Sequence, residues 1–143
     1  MKKVIFIGTV GCGKTTLSQR LTGERLSYKK TQTIEVVGSG IIDTPGEYLD
    51  RVQMRGALMI SSADADLICL VQSATDIKSM FPPAYAGSFA KEVIGIVTKI
   101  DAASDAEMQL ARERLKMAGA AEVFMVSSLS GEGLDTLEDK LCT

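Results

Sequence analysis

Residue types that often build catalytic or metal sites are missing or scarce in this chain of 143 residues. It contains no histidine, which excludes a histidine-based catalytic triad and any histidine-ligated metal. Its three cysteines, at positions 12, 69 and 142, do not have the spacing of a metal site. Cys69 lies within an apolar run, which predicts a small core residue rather than a reactive one.

The net charge and the hydropathy of the chain are ordinary, and they exclude further classes of function. The net charge of −2 is too close to zero to indicate a nucleic-acid or acidic-membrane partner. No signal segment precedes the first apolar run, and no run is long enough to span a membrane. With 45% hydrophobic and 24% charged residues, we expect one globular domain over 1–143, cytoplasmic and with reduced thiols.

The most informative stretch that is present runs from Gly8 to Thr15 and matches the phosphate-loop pattern G-x-x-x-x-G-K-[ST]. It follows the apolar run 4–7 and leads into a predicted helix over 15–21. A strand that turns into a helix directs backbone N–H groups and the helix dipole at one point, which suits a phosphate. The phosphate-binding residues predicted here are Gly8, Val10, Gly11, Cys12, Gly13, Lys14, Thr15 and Thr16.

Apolar runs alternate with amphipathic segments along the rest of the chain, which predicts a doubly wound α/β fold. Runs bounded by polar turns suit strands buried on both faces of a mostly parallel sheet, here of about six strands with helices on both faces. The predicted strands are 4–7, 33–37 as an edge strand turning back into 41–42, 67–71, 93–97 and 123–126. The predicted helices are 48–62, a short one within 82–90, 105–118 with a capping box from Ser104 and Glu107, and 133–141.

The run 41–42 ends in Asp43-Thr44-Pro45-Gly46, at the edge of the sheet where a ligand binds. An aspartate there can hold Mg²⁺ through a water and complete the shell begun by the Thr15 hydroxyl. The backbone N–H of Gly46 can then contact a γ-phosphate. An ordinary turn is the alternative, because Asp, Pro and Gly are common turn residues.

The run 93–97 ends in Thr98-Lys99-Ile100-Asp101, which indicates a base-reading turn. The Asp101 carboxylate can accept two hydrogen bonds from the N1 and N2 donors of guanine, a donor pair that adenine lacks. The aliphatic stem of Lys99 would lie along the base. A simple helix-leading turn remains the alternative.

A last polar segment, Ser127-Ser128-Leu129, follows the predicted strand 123–126. The backbone N–H of Ser128 can reach the guanine O6, and glycines at 131 and 133 allow the loop to turn into the last helix. Taken alone, this segment indicates only a capped helix start.

These motifs, in this order and over nearly the whole chain, resemble a small G domain of the translation-factor-related P-loop GTPase class. The short length, the Lys30-Thr31-Gln32 segment and Asp43 to Tyr48 are similar to the EutP/PduV family of ethanolamine and propanediol utilisation. The resemblance implies a cytoplasmic protein associated with a bacterial microcompartment, with its shell or enzyme proteins as partners. It also implies Mg²⁺ and GTP or GDP as cofactors, with ATP as the alternative, since acetate kinase activity has been assigned to some members.

Carried onto this chain, the resemblance makes Lys14, Thr31 and Glu47 the catalytic candidates. Thr31 would join Thr15 and Asp43 as a metal ligand, with Thr33 as its competitor. Glu47 stands where many GTPases have a water-orienting glutamine, and an ionised carboxylate there repels a γ-phosphate. Together with Val10 in place of a glycine, this departure predicts slow turnover.

Thr98 is a further departure, since G domains usually have an asparagine at the first position of this turn. Its hydroxyl can make only part of the brace to the phosphate loop.

Three function classes therefore stay open: a slow Mg²⁺-dependent GTPase, an acetate kinase, and a nucleotide-binding docking module without turnover. Lys29, Lys30 and Arg51 are the candidates to hold an acetate acceptor.

Overall fold

The computed structural model describes residues 4–8, 13, 16–17, 20, 35–37, 41–43, 65–75, 81, 84–89 and 91–142. Six strands form one sheet in the order β2-β3-β1-β4-β5-β6. Their bounds are β1 Val4–Ile7, β2 Glu35–Val37, β3 Ile41–Asp43, β4 Leu67–Ser73, β5 Glu92–Thr98 and β6 Val123–Met125. Every pair is parallel except β2 with β3, which is antiparallel, so the predicted α/β sheet with an edge strand turning back is confirmed.

Strands β1, β4 and β5 bury both of their faces, as their continuous apolar runs predict. On one face Ile5, Ile68 and Leu70 pack in a core that includes Ala111 and Leu115. On the other face the alternate residues of the same strands pack in a second core, whose members include Val4, Phe6, Leu67, Cys69, Leu17, Leu137 and Leu141. Two apolar layers on opposite faces require helices on both sides, which is the doubly wound arrangement.

Two helices are described in full: α1 from Asp105 to Met117 and α2 from Leu134 to Cys142. The predicted capping box of α1 is present: Glu107 N–H donates to Ser104 Oγ at 3.2 Å, and Ser104 N–H donates to Glu107 Oε1 at 3.0 Å. Helical spacing in the sequence predicts one apolar face of Leu110, Ala111, Leu115 and Ala118; the last three are buried, whereas Leu110 is 44% exposed. Leu110 lies about 100° around the helix from Ala111 and falls outside the stripe that meets the sheet.

The helix predicted within 82–90 is reduced to a single 3-10 turn, Tyr85–Ser88. Its amide groups have other acceptors: Ala84 N–H donates to the Met117 carbonyl at 2.9 Å, and Ala86 N–H donates to the Ala118 carbonyl at 2.7 Å. The segment thus satisfies carbonyls at the carboxyl end of α1 that the helix leaves without intrahelical donors. The helix predicted over 48–62 lies outside the described residues.

Cys69 occupies the core position that its apolar neighbours predict, with no exposed surface. Burial, with a smaller contribution from the charge of Glu92, raises the pKa of its thiol far above the ordinary value. The thiol therefore stays protonated and unreactive at neutral pH. Among the described residues, no helix is long and apolar enough to cross a membrane.

Candidate functional site

The carboxyl ends of the parallel strands meet at one edge of the sheet, where a pocket of about 230 Å³ opens. Three segments line it: the phosphate loop with its helix, the turn after β5, and the segment after β6. The lining residues are Gly13, Thr16, Thr98, Lys99, Asp101, Ala102, Ser128 and Leu129. The sheet therefore brings the predicted phosphate-binding and base-reading segments to one place, as ligand sites of open α/β sheets require.

The phosphate-loop segment begins at Gly8, which is buried directly after β1. Gly13 has a φ of +94°, a conformation that residues with a side chain rarely adopt. Leu17 N–H donates to the Gly13 carbonyl at 2.9 Å, and Thr16 and Leu17 are helical, so a helix begins at this point. Lys14 and Thr15, like Val10, Gly11 and Cys12, lie outside the described residues.

The base-reading turn rests against the phosphate loop through Thr98. This side chain is only 2% exposed, and its Oγ1 lies 3.5 Å from the position that a Cβ on Gly13 would occupy. Lys99 reaches the same glycine, with its Cε 3.9 Å from that position. A Cβ at position 13 would lie in ordinary van der Waals contact with both side chains, so the need for glycine here comes from its φ of +94°.

Lys99 itself has a φ of +60°, in the left-handed region that is uncommon for a residue with a side chain. The backbone then forms a 3-10 turn, Ile100–Ala102. Ile100 N–H donates to the Val126 carbonyl at 3.4 Å, which joins the turn to the segment that follows β6. Unfavourable backbone conformations of this kind persist where surrounding contacts fix them, often at ligand sites.

Asp101 projects from this turn at the pocket and is held by a buried serine. The Ser127 hydroxyl, which has no exposed surface, donates to Asp101 Oδ1 at 2.7 Å. The same hydroxyl accepts a hydrogen bond from Ser130 N–H at 3.1 Å. The Ser127 hydroxyl therefore acts both as donor and as acceptor, which fixes one oxygen of the Asp101 carboxylate. The carboxylate retains further lone pairs that can accept hydrogen bonds from a ligand.

The segment from Ser127 to Gly133, which we term the 127–133 loop, is closed by its own backbone. Ser127 N–H donates to the Glu132 carbonyl and Gly131 N–H donates to the Ser127 carbonyl, each at 2.9 Å. Ser128 and Leu129 lie at the turn of this loop and line the pocket, with Leu129 74% exposed at its rim. Ser128 and Leu129 thus line the same pocket as Asp101.

The predicted metal-binding end is described only in its backbone. Asp43 ends β3 and pairs in register with Phe6 of β1, two residues before Gly8. This pairing brings the end of β3 next to the phosphate loop, where the sequence predicts it. Thr31, Gly46 and Glu47 lie outside the described residues, and so do Lys29, Lys30 and Arg51.

Two features of the pocket were not predicted from the sequence. Ala102 lines it, although alanine carries no chemical signal; only its place three residues after Lys99 in a tight turn could have indicated it. The second feature is the hydrogen-bond partner of Ser127. The sequence predicts this residue among those that bind the nucleotide, and the structure shows that its hydroxyl donates to Asp101. The 26 residues that separate these two partners explain why their pairing could not be read from spacing.

Comparisons with known proteins agree with this arrangement. The solved G domain of FeoB from Methanococcus jannaschii matches with a TM-score of 0.68 over 99% of this chain and 95% of that chain, at 23% identity. The fold is therefore that of a P-loop GTPase G domain.

Two relatives of known families match at higher identity. The propanediol utilization protein PduV of Citrobacter freundii is 44% identical over 137 residues, covering 96% of this chain and 91% of the relative. The probable acetate kinase EutP of Escherichia coli strain K12 is 34% identical over 145 residues, covering 100% of this chain and 91% of the relative. The model of the PduV-EutP family, described as ethanolamine utilisation - propanediol utilisation, matches residues 1–143, and the chain belongs to this family.

Proposed function

We propose that this protein binds guanine nucleotides together with Mg²⁺ and hydrolyses GTP slowly. The observation that carries the proposal is the Asp101 carboxylate, held at 2.7 Å by the buried Ser127 hydroxyl in a pocket that Gly13 of the phosphate loop also lines. A carboxylate fixed in this way matches the paired N1 and N2 donors of guanine. Adenine would leave it without those donors, which is how a polar site discriminates between similar ligands.

The neighbouring groups suit the rest of a guanine base. The Ser128 backbone N–H is the donor proposed for O6, and the base would lie between the Lys99 stem and the exposed Leu129 side chain. The pocket joins these residues to Gly13 and Thr16, from which a nucleotide would extend its phosphates toward Lys14.

Mg²⁺ would be held by Thr15, Thr31 and, through water, Asp43, since hard oxygen ligands are the ones that Mg²⁺ prefers. When bound, the ion would neutralise charge on the phosphates. Lys14 would contact the terminal phosphates.

The chain's own residues support slow rather than fast hydrolysis. Glu47 would place negative charge beside the γ-phosphate, and Val10 would narrow the approach of an activating arginine from another protein. We expect Glu47→Ala to leave the single-turnover rate of GTP hydrolysis within about tenfold of wild type, because Glu47 is not the water-orienting group. A fall of about a hundredfold or more would contradict this role.

Nucleotide titration tests the base preference. In the presence of Mg²⁺, wild type should bind GTP at least about tenfold more tightly than ATP, and Asp101→Asn should remove that preference by weakening GTP. Asp105→Asn is the matched control, because it makes the same change at an exposed residue in the first turn of α1. If ATP binds as well as GTP and Asp101→Asn changes neither affinity, the proposal is wrong.

A second candidate is supported by the relative from Escherichia coli, whose name is probable acetate kinase EutP. In that reaction a carboxylate oxygen of acetate would form a bond to the γ-phosphorus of ATP, the bond from that phosphorus to the β–γ bridging oxygen would break, and ADP would leave. Acetyl phosphate formed above a Lys14→Ala background would favour this reaction. Nucleotide binding with neither product nor hydrolysis would instead indicate a docking module.

The family membership supports a cellular context for either activity. We propose that the protein is cytoplasmic and associates with the shell or enzyme proteins of an ethanolamine or propanediol microcompartment. Co-sedimentation measures this association directly: the protein is centrifuged with and without purified microcompartments, and the amounts of protein in the two pellets are compared.

A further inference from the structure

Nucleotide chemistry does not explain one close approach in the site, between the helix after the phosphate loop and the 127–133 loop. Arg20 is an exposed helical residue, one turn after Thr16 in the helix that begins at the phosphate loop. Its Nη2 lies 3.2 Å from the position that a Cβ on Gly131 would occupy. Among the residues that the structure describes, no other atom beyond the immediate chain neighbours lies within 4 Å of that position. The end of the Arg20 side chain therefore lies beside Gly131, in the space that a side chain at position 131 would take.

Gly131 is a sensitive position in that loop. Its φ of +85° is unfavourable for residues with a side chain, and its N–H donates to the Ser127 carbonyl at 2.9 Å. The next residue toward the amino terminus, Ser130, donates its N–H to the Ser127 hydroxyl. A group that restricts the backbone at Gly131 therefore also restricts the two hydrogen bonds that fix Ser127.

We propose that Arg20 is a positioning residue for base recognition, acting through Gly131 and Ser127 on Asp101. This inference rests on the proposed function, since it concerns how the same site reads guanine. It extends that function by linking the phosphate-loop helix to the base-reading loop. Thr98 lies close to Gly13, so the loops proposed to read the base approach the phosphate-loop region at a second point.

A flat, permanently charged guanidinium is well suited to this role. A guanidinium is planar and more weakly hydrated than an ammonium, so it can lie close to a backbone that carries no side chain. Glycine at 131 leaves the space that the contact needs. A residue with a side chain there would displace the end of Arg20 as well as strain the backbone.

The test uses Arg20→Ala, with Arg112→Ala as the matched control because Arg112 is exposed on α1 and outside the pocket. GDP and ADP are titrated in Mg²⁺ against both variants and wild type. Arg20→Ala should lower the preference for GDP over ADP about three- to tenfold, because a contact that acts through other residues has a moderate effect. ADP affinity should stay within about twofold, since the phosphate contacts are retained. Arg112→Ala should change neither.

Amide hydrogen exchange in the nucleotide-free protein is the second measurement. Arg20→Ala should accelerate exchange at Ser130 and Gly131, whose amides donate to Ser127, and leave the amides of α1 unchanged. Unchanged exchange at both loop amides, or equal losses of GDP and ADP affinity, would overturn the proposal. If wild type shows no preference for GDP, the proposed function fails, and the exchange experiment still decides whether Arg20 holds the loop.

Discussion

The strands β5 and β6 have different chemistry at their two ends. Among the residues that the structure describes, the buried polar side chains all lie at or just beyond the carboxyl ends of β4, β5 and β6: Gln72, Ser73, Thr98 and Ser127. At the opposite edge, Lys140 of α2 forms ion pairs with Glu92 at 2.8 Å and Glu122 at 3.2 Å. Glu92 begins β5 and Glu122 directly precedes β6.

Under the proposed function, the difference separates an edge that serves a ligand from an edge that serves stability alone. A buried polar group without a partner costs about 1–3 kcal/mol, so it persists only with good partners or a functional reason. An exposed ion pair contributes about 1 kcal/mol or less and tolerates change. Substitutions at the carboxyl edge should therefore affect stability and nucleotide binding, and substitutions at the amino edge should affect stability slightly and binding not at all.

The largest effect is expected at Gly133, which follows β6 at the carboxyl edge. Its φ is +78°, and a Cβ there would overlap the carbonyl oxygen of Met125, which is backbone and cannot move aside. Gly133→Ala should lower the free energy of unfolding by about 3 kcal/mol or more, measured by urea denaturation.

Gly131→Ala is the matched control for that substitution. The φ at Gly131 is similar, at +85°, but among the described residues a Cβ would meet only the flexible end of Arg20. Its loss of unfolding free energy should be about 1 kcal/mol, from backbone strain alone. Equal losses in the two variants would show that the overlap with the Met125 carbonyl contributes little to the destabilisation.

The next effect concerns Ser127. Ser127→Ala removes the hydroxyl that donates to Asp101 and accepts from Ser130, so Asp101 is no longer fixed in the pocket. Hydrogen bonds to charged groups contribute about 1.5–3 kcal/mol, and the affinity for GDP should therefore fall about tenfold or more. Titration of the wild type and of Ser127→Ala with GDP in the presence of Mg²⁺ measures this loss of affinity.

Ser104→Ala is the control for this serine, because it also removes a hydroxyl with a backbone partner, but in the cap of α1. It should lower the free energy of unfolding by about 1 kcal/mol and leave GDP affinity unchanged. If Ser127→Ala binds GDP as wild type does, Asp101 does not depend on Ser127.

The same comparison explains what the sequence predicts well. Strands β1, β4 and β5 bury both faces along their apolar runs, and the capping box of α1 depends on residues three apart, so local pattern is sufficient for both. The order of the motifs along a doubly wound sheet also brings Gly13, Thr98 and Asp101 to one edge without further information.

What the sequence does not predict are contacts between segments whose relative positions depend on packing. The Ser127–Asp101 hydrogen bond joins residues 26 apart, and the close approach of Arg20 to Gly131 brings a helix next to a distant loop. The short 3-10 turn at Tyr85–Ser88 has the same origin, because amides at its start pair with the end of α1.

The smallest effect is expected at the amino edge. Lys140→Met removes two exposed ion pairs, whose side chains are 21%, 40% and 54% exposed for Lys140, Glu92 and Glu122. The free energy of unfolding should fall by about 1 kcal/mol or less, the loss should shrink in high salt, and GDP affinity should stay unchanged. Lys116→Met, at an exposed lysine of α1, is the matched control. It should leave the free energy of unfolding, its salt dependence and the GDP affinity unchanged.

The pH dependence of the Lys140 effect has a definite sign. The hydrogen bonds that Lys140 donates to Glu92 and, next, to Glu122 raise its pKa above the ordinary value of 10.5. A raised pKa in the folded state means that the stabilisation is complete below the unfolded pKa and is lost as pH rises through the folded pKa. The difference in unfolding free energy between wild type and Lys140→Met should therefore stay constant from neutral pH to about pH 9 and be lost as pH rises beyond about 10.5. A difference that grows with rising pH, or a change in GDP affinity, would mean that the amino edge is coupled to the nucleotide site and that the two edges are not separable.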